Sequence, residues 1–122
     1  MDAIGIDGEG LKRFLEAVSR RYPLQRAILF GSRARGDALI SSDYDLILVS
    51  PAFARMPFAE RAARVLEFWT LEAPLEALCY TPEEFEQKAA GLTMIREARE
   101  QGIELRLPDA SDPACNAPDL LV

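Results

Sequence analysis

The sequence predicts a mixed α/β (α+β) domain with a small mixed sheet of about four strands backed by helices. Two patterns predict it. Four short apolar runs alternate with longer stretches of helical period, the order expected when strands and helices pack as layers around one core. A chain of 122 residues is enough for one such core and too short for two.

Leu11, Phe14, Leu15 and Val18 fall at i, i+3, i+4 and i+7, which gives an amphipathic helix from about residue 8 to 22, ending before Pro23. RAILF (26–30), stopped by Gly31, and YDLILVS (44–50), stopped by Pro51, read as buried strands. The segment between them is a turn leading into a short helix through Arg33, Ala34 and Arg35. Between Pro57 and about Leu71, Phe58, Ala62, Val65, Leu66 and Trp69 repeat with helical period. That stretch is a second long helix, with Phe58, Val65, Leu66 and Trp69 expected in the core. LEALCY (75–80), after Pro74, is a third strand. In TPEE (81–84), Thr81 stands at the N-cap, Pro82 at N1 and Glu84 at N3, a capping box that opens a helix to about Ala90. A further helix over about 92–101 stops at Gly102, and IELRL (103–107) is a last strand at a sheet edge. The domain is expected to span 1–107. Residues 108–122 carry three prolines, three aspartates and little periodicity, and are expected to form a mostly disordered tail.

Composition removes whole classes of function. No apolar run approaches the ~18 residues a membrane span needs, and the acidic N-terminus MDAIGIDGEG lacks the pattern of a secretory leader. Cys79 and Cys115 are isolated and form no metal-ligand spacing, which suits a reducing cytoplasm. With 14 basic against 20 acidic residues the net charge is −6, which argues against binding long nucleic acid. The absence of histidine excludes a Ser-His-Asp triad, His-ligated zinc and an imidazole base. Proton transfer near neutral pH then falls to a carboxylate, Lys, Tyr or Cys.

The stretch LFGSRARGDALISSDYDLILVS (29–50) carries the chemistry. Asp43 and Asp45 lie at i and i+2 where a strand begins, so both carboxylates project to the same side. Two negative charges that close are unfavourable unless a cation lies between them. Mg²⁺ prefers oxygen ligands and commonly takes one or two carboxylates, with water and substrate phosphates in its other positions. Gly31 and Ser32 follow a strand and open a short helix, where free N–H groups, a close backbone approach and a hydroxyl make a phosphate cradle. Arg33 and Arg35 add positive charge; each has two readings, a triphosphate contact or a surface pair with Asp37 or a glutamate. Asp37 itself reads as a turn cap. Taken singly, the aspartates suit a solvated strand start and Gly31-Ser32 an ordinary turn, and it is the joint spacing that is specific.

Gly31-Ser32, ten residues, then Asp43-Tyr44-Asp45 resembles the G-S-x10-D-x-D signature of the minimal nucleotidyltransferases of the DNA polymerase β-like superfamily, as do the flanking residues of 29–49 and YTPEEFE (80–86). The resemblance covers about residues 10–107 and implies the polymerase β palm-like fold. It implies that Gly31 and Ser32 position the nucleoside triphosphate and that Asp43, Asp45 and a third acidic residue hold two Mg²⁺ ions. Matching PLEALCYTPEEFE to the family puts Glu76 in that third place, where an aspartate is customary; the added methylene alters the geometry and can slow the chemistry. Glu76 keeps a second reading as a surface ion pair. Tyr44 and Cys79 read as packing.

Relatives with a separate acceptor-binding domain are larger, so the acceptor is expected to come from elsewhere. The resemblance implies an antitoxin-type protein that transfers AMP from ATP to a hydroxyl of a helical HEPN-family partner. The alternatives are transfer to a small molecule, with a homodimer cleft as pocket, and a degenerate fold that neutralises its partner by contact.

Overall fold

The structure, a computed structural model, describes residues 8–31, 43–91 and 94–107. In chain order these form α1 (Gly8–Arg21), β1 (Arg26–Phe30), β2 (Tyr44–Val49), a 3-10 turn (Pro51–Arg55), α2 (Phe58–Leu66), β3 (Leu75–Tyr80), α3 (Pro82–Ala90), α4 (Met94–Gln101) and β4 (Ile103–Glu104). The strands make one mixed sheet in the order β3-β2-β1-β4. β1 is antiparallel to both β2 and β4, whereas β2 and β3 run parallel, with α2 in the crossover between them. The expected small mixed sheet backed by helices is the observed one. The short helix expected through Arg33–Arg35 and the tail 108–122 lie outside the described residues.

Alternation along the strands builds two apolar layers. On one face, Ala27, Leu29, Tyr44, Leu46, Leu48 and Cys79 pack under α1 (Leu11, Phe14, Leu15, Val18), Phe53 of the 3-10 turn and Val65 of α2. Trp69 closes that layer: its ring meets Phe14 edge-on at 4.9 Å and Tyr44 at 5.4 Å, and its Nε1 donates to the Ala73 carbonyl at 2.8 Å. On the other face, Phe85 and Ala89 of α3 and Ile95 and Ala98 of α4 cover Ile28, Ile47, Val49 and Tyr80. Central β2, buried on both sides, is accordingly a near-continuous apolar run.

The capping box forms as the sequence predicts. Thr81 Oγ1 accepts from the Glu84 N–H at 3.2 Å, and Glu84 Oε1 accepts from the Thr81 N–H at 2.9 Å. Glu84 also receives Arg61, a buried guanidinium on α2, at 2.6 Å. Arg61 Nη1 donates to the Cys79 carbonyl on the outer side of β3 at 3.0 Å, and its Nε to the Met56 carbonyl at 3.1 Å. One side chain thus ties the end of the 3-10 turn, the free edge of β3 and the start of α3 together.

Three expectations are corrected. Phe58 and Leu66 were expected in the core and are 50% and 42% exposed. Arg61 and Val65, one turn apart, take the inward positions of α2, which rotates Phe58 and Leu66 to the flanks. The last strand pairs only at Ile103 and Glu104, with Leu105 adding one N–H bond to the Ala27 carbonyl at 2.7 Å before the chain leaves the sheet. The second long helix, expected to run to about Leu71, ends at Leu66, where the N–H groups of Glu67, Phe68 and Trp69 bond back to the Arg64, Val65 and Leu66 carbonyls in a tighter turn. PAFAR, after the second strand, is a 3-10 turn capped by Ser50, whose Oγ accepts from the Ala52 N–H at 3.1 Å.

Arg61→Ala takes the arginine donors from two backbone carbonyls and from the Glu84 carboxylate, which keeps only the Thr81 N–H. It is expected to lower unfolding stability by about 2–4 kcal/mol in urea titration. Arg61 holds the Glu84 carboxyl below its ordinary value, first through their hydrogen bond and then with help from the Thr81 N–H. A carboxyl depressed in the folded state stabilises the protein above its ordinary titration range and loses that contribution as pH falls through the folded value. The stability gap between wild type and Glu84→Gln, followed by thermal melts, should therefore shrink steadily from about pH 6 to about pH 3.

Candidate functional site

One end of the sheet gathers the carboxylates. β1 and β2 pair so that Phe30 lies opposite Asp45, and β2 and β3 so that Asp45 lies opposite Glu76. The three residues form a row across three strands, with Cα atoms about 4.8 Å apart from strand to strand. By alternation, Asp45 points to the face of Ile47 and Val49, and Glu76 to the face of Leu78 and Tyr80, which is the same face of the sheet. α3 and α4 cover that face over Ile28, Ile47 and Val49 and leave the row at its rim: Phe30 and Asp45 are half-buried and Glu76 is exposed. Asp43, two residues before Asp45, is exposed just before the strand begins.

Gly31, directly after β1, has φ +78°, in the left-handed region that glycine enters without a Cβ penalty. A Cβ placed there would fall onto Asp45 Oδ2. The backbone turn therefore lies against the carboxylate, and a side chain at position 31 would require the Asp45 carboxylate to move. Gly31 thus sets how close the turn can come to Asp45.

Like charges directly opposite on paired strands are unfavourable, and the row places Asp45 beside Glu76 with Asp43 one pleat away. The donor set is all carboxylate oxygen, the type suited to Mg²⁺, which takes one or two carboxylates and fills the rest of its shell with water and phosphate. The aspartate pair fits such an ion. Among the described residues, no three His, Cys, Asp or Glu side chains are gathered closely enough to hold a metal by themselves. Ser32, Arg33 and Arg35, expected at the nucleotide, lie outside the described residues, as does Asp37. Tyr44 and Cys79 are buried in the first layer, as their alternation predicts. Burial pushes the Cys79 thiol up to about 12, so it is no nucleophile.

The sequence model of the nucleotidyltransferase domain matches residues 11–104. The chain belongs to this family. The nucleotidyltransferase is also similar to a crystal structure from Sulfolobus solfataricus described as a "putative nucleotidyltransferase". The two chains are 28% identical with a TM-score of 0.53, over 66% of this chain and 71% of the other. No curated protein matches the chain. No helix among the described residues of the nucleotidyltransferase is long and apolar enough to cross a membrane.

Gly31→Ala is expected to force the turn and Asp45 apart. The left-handed backbone alone costs about 1 kcal/mol with a Cβ, and the displaced carboxylate adds to it. Chemical denaturation should show the loss. Cys79 should remain unlabelled by a maleimide in the native protein and react once the protein is unfolded in urea.

Proposed function

We propose that this nucleotidyltransferase transfers AMP from ATP, with Mg²⁺, to a hydroxyl of a partner protein, and that it serves as the antitoxin of a helical HEPN-type partner. The observation that carries the transfer reading is the row of Asp45 and Glu76 with Gly31 packed on Asp45. The partner reading is supported by the sequence resemblance and by the net charge of −6, which complements a basic, RNA-binding partner. A reducing, cytoplasmic setting agrees with the isolated cysteines.

In this reading Gly31, with Ser32, Arg33 and Arg35, holds the triphosphate, and Asp43 and Asp45 are the main ligands of the metal site, with Glu76 at its edge. Bound Mg²⁺ supplies charge neutralisation at the phosphates. The acceptor hydroxyl oxygen attacks the α-phosphorus in line with the bridging oxygen of the leaving pyrophosphate. The new P–O bond forms as the bond to pyrophosphate breaks, the hydroxyl proton passes to the Glu76 carboxylate, and pyrophosphate departs. The longer glutamate reaches the same region from β3 with a less fixed head group, which lowers the rate more than it weakens nucleotide binding.

A second reading, a fold that neutralises its partner by contact alone, is favoured by one observation: the three carboxylates are not gathered into a ready-made metal centre. Calorimetric titration of ATP with Mg²⁺ separates the two. Magnesium-dependent binding is expected in the wild type and should fall by about a hundredfold in Asp43→Asn/Asp45→Asn. Glu76→Gln should bind ATP like the wild type and lose about a hundredfold in transfer. Absence of magnesium-dependent ATP binding in the wild type would establish the contact reading instead.

A further inference from the structure

We propose that Trp69 is a positioning residue for the aspartate pair: from the rear of the sheet it holds the peptide between Asp43 and Tyr44, and so fixes the two carboxylates toward Mg²⁺ and the nucleotide. The proposal rests on the transfer reading above and adds to it a residue that touches neither metal nor substrate.

The start of β2 needs such a support. Among the described residues the ladder to β1 ends at the pair Phe30 and Asp45, while Tyr44 pairs with Leu75 of β3. Asp43 precedes the strand and is exposed. Strand ends fray unless contacts beyond the ladder hold them. The Tyr44 N–H donates to the Pro74 carbonyl at 2.8 Å. That N–H belongs to the planar peptide joining Asp43 to Tyr44, so the bond sets the direction in which the chain leaves Asp43, and with it where that carboxylate stands relative to Asp45.

Trp69 fixes the acceptor of this bond. Its Nε1 donates to the Ala73 carbonyl at 2.8 Å, one residue before the carbonyl that receives Tyr44. Pro74, whose ring fixes φ, carries the two carbonyls as one stiff unit. The indole ring also meets Tyr44 edge-on, with centroids 5.4 Å apart and planes inclined by 65°, and Phe14 at 4.9 Å and 87°. Tyr44 is 3% exposed and lies, by alternation, on the face away from Asp45. The segment 69–74 thus grips Tyr44 by its backbone and by its ring, from the side opposite the carboxylates. A phenylalanine at position 69 keeps an aromatic ring and loses the N–H that holds Ala73.

A residue that only fills the core lowers the stability of the whole fold when it is replaced. A buttress loosens Tyr44 before the rest of β2. The Ser50 N–H, which donates to the Tyr80 carbonyl at 3.0 Å just beyond the other end of β2, is the internal reference. Val18→Ala is the control variant: it opens space in the same apolar layer, one turn along α1 from Phe14.

Amide hydrogen exchange of the full chain, followed by NMR without ligand, reads the first effect. In Trp69→Phe the Tyr44 N–H is expected to exchange about tenfold faster relative to Ser50, and in Val18→Ala the two should keep their ratio. Calorimetric titration of ATP with Mg²⁺ reads the second: affinity should fall about tenfold in Trp69→Phe and stay at the wild-type value in Val18→Ala. Coupling is reciprocal, so saturating Mg²⁺ and ATP should slow exchange of the indole N–H of Trp69, the single tryptophan, by about the same factor in the wild type, a measurement that needs no variant. An unchanged ratio of Tyr44 to Ser50 exchange in Trp69→Phe makes Trp69 an ordinary core residue and overturns the proposal. Equal ATP affinity in wild type and Trp69→Phe, with indole exchange unmoved by ligand, overturns it as well and leaves the transfer reading standing. If Tyr44 loosens in Trp69→Phe and the wild type binds no ATP, the hold on the Asp43–Tyr44 peptide stands and the transfer reading falls.

Discussion

Five of the six residues of β2 are buried, and the sixth is Asp45. A strand in that position must be hydrogen-bonded on both edges and covered on both faces, because unpaired backbone groups and uncovered apolar side chains are each costly. β1 and β3 supply the edges, α1 and α2 one cover, and α3 and α4 the other. The candidate site is what remains where that coverage stops. A carboxylate in the middle of β2 would be buried without a counter-charge, so Asp45 is tolerated at the rim, where it stays partly exposed.

Pairing then does the rest without any further device. Because β2 and β3 are parallel and in register at Asp45 and Glu76, the acidic residue of the edge strand is brought beside that of the central one. Because β1 and β2 are antiparallel, the end of β1 falls at the same rim, and the chain turns there through Gly31 onto the carboxylate. A shift of one residue in either register would send the carboxylates to opposite faces. Arg61 guards against such slippage on the exposed side of β3: it occupies the Cys79 carbonyl, which would otherwise be open to a foreign strand, and anchors it to Glu84.

Much of this was legible in the sequence, for reasons that can be traced residue by residue. RAILF and YDLILV are apolar throughout because their strands are covered on both faces, and the capping box at Thr81 and Glu84 is a local hydrogen-bond pattern that tertiary packing had no reason to change. The spacing of Gly31 to Asp45 marked them as one candidate site, and the fold packs the two residues against each other. Phe58 and Leu66 were misplaced because helical period shows that a stripe exists and not which residue of it faces inward. An arginine took the inward place, and a buried guanidinium whose partners lie at positions 56, 79 and 84 has no signal in its own segment. The length of β4 was likewise beyond local reading, since a strand at the sheet edge ends where its neighbour stops pairing with it and not where its apolar residues stop.

The same strand that supplies Glu76 also floors a cleft lined by Leu78 and Tyr80, and this coupling follows from the pleat. Side chains two apart on one face of a strand are held at a fixed separation with no hinge between them. Any group at Leu78 or Tyr80 therefore stands at a distance from Glu76 that the pleat sets, about 7 Å for each two residues along the strand.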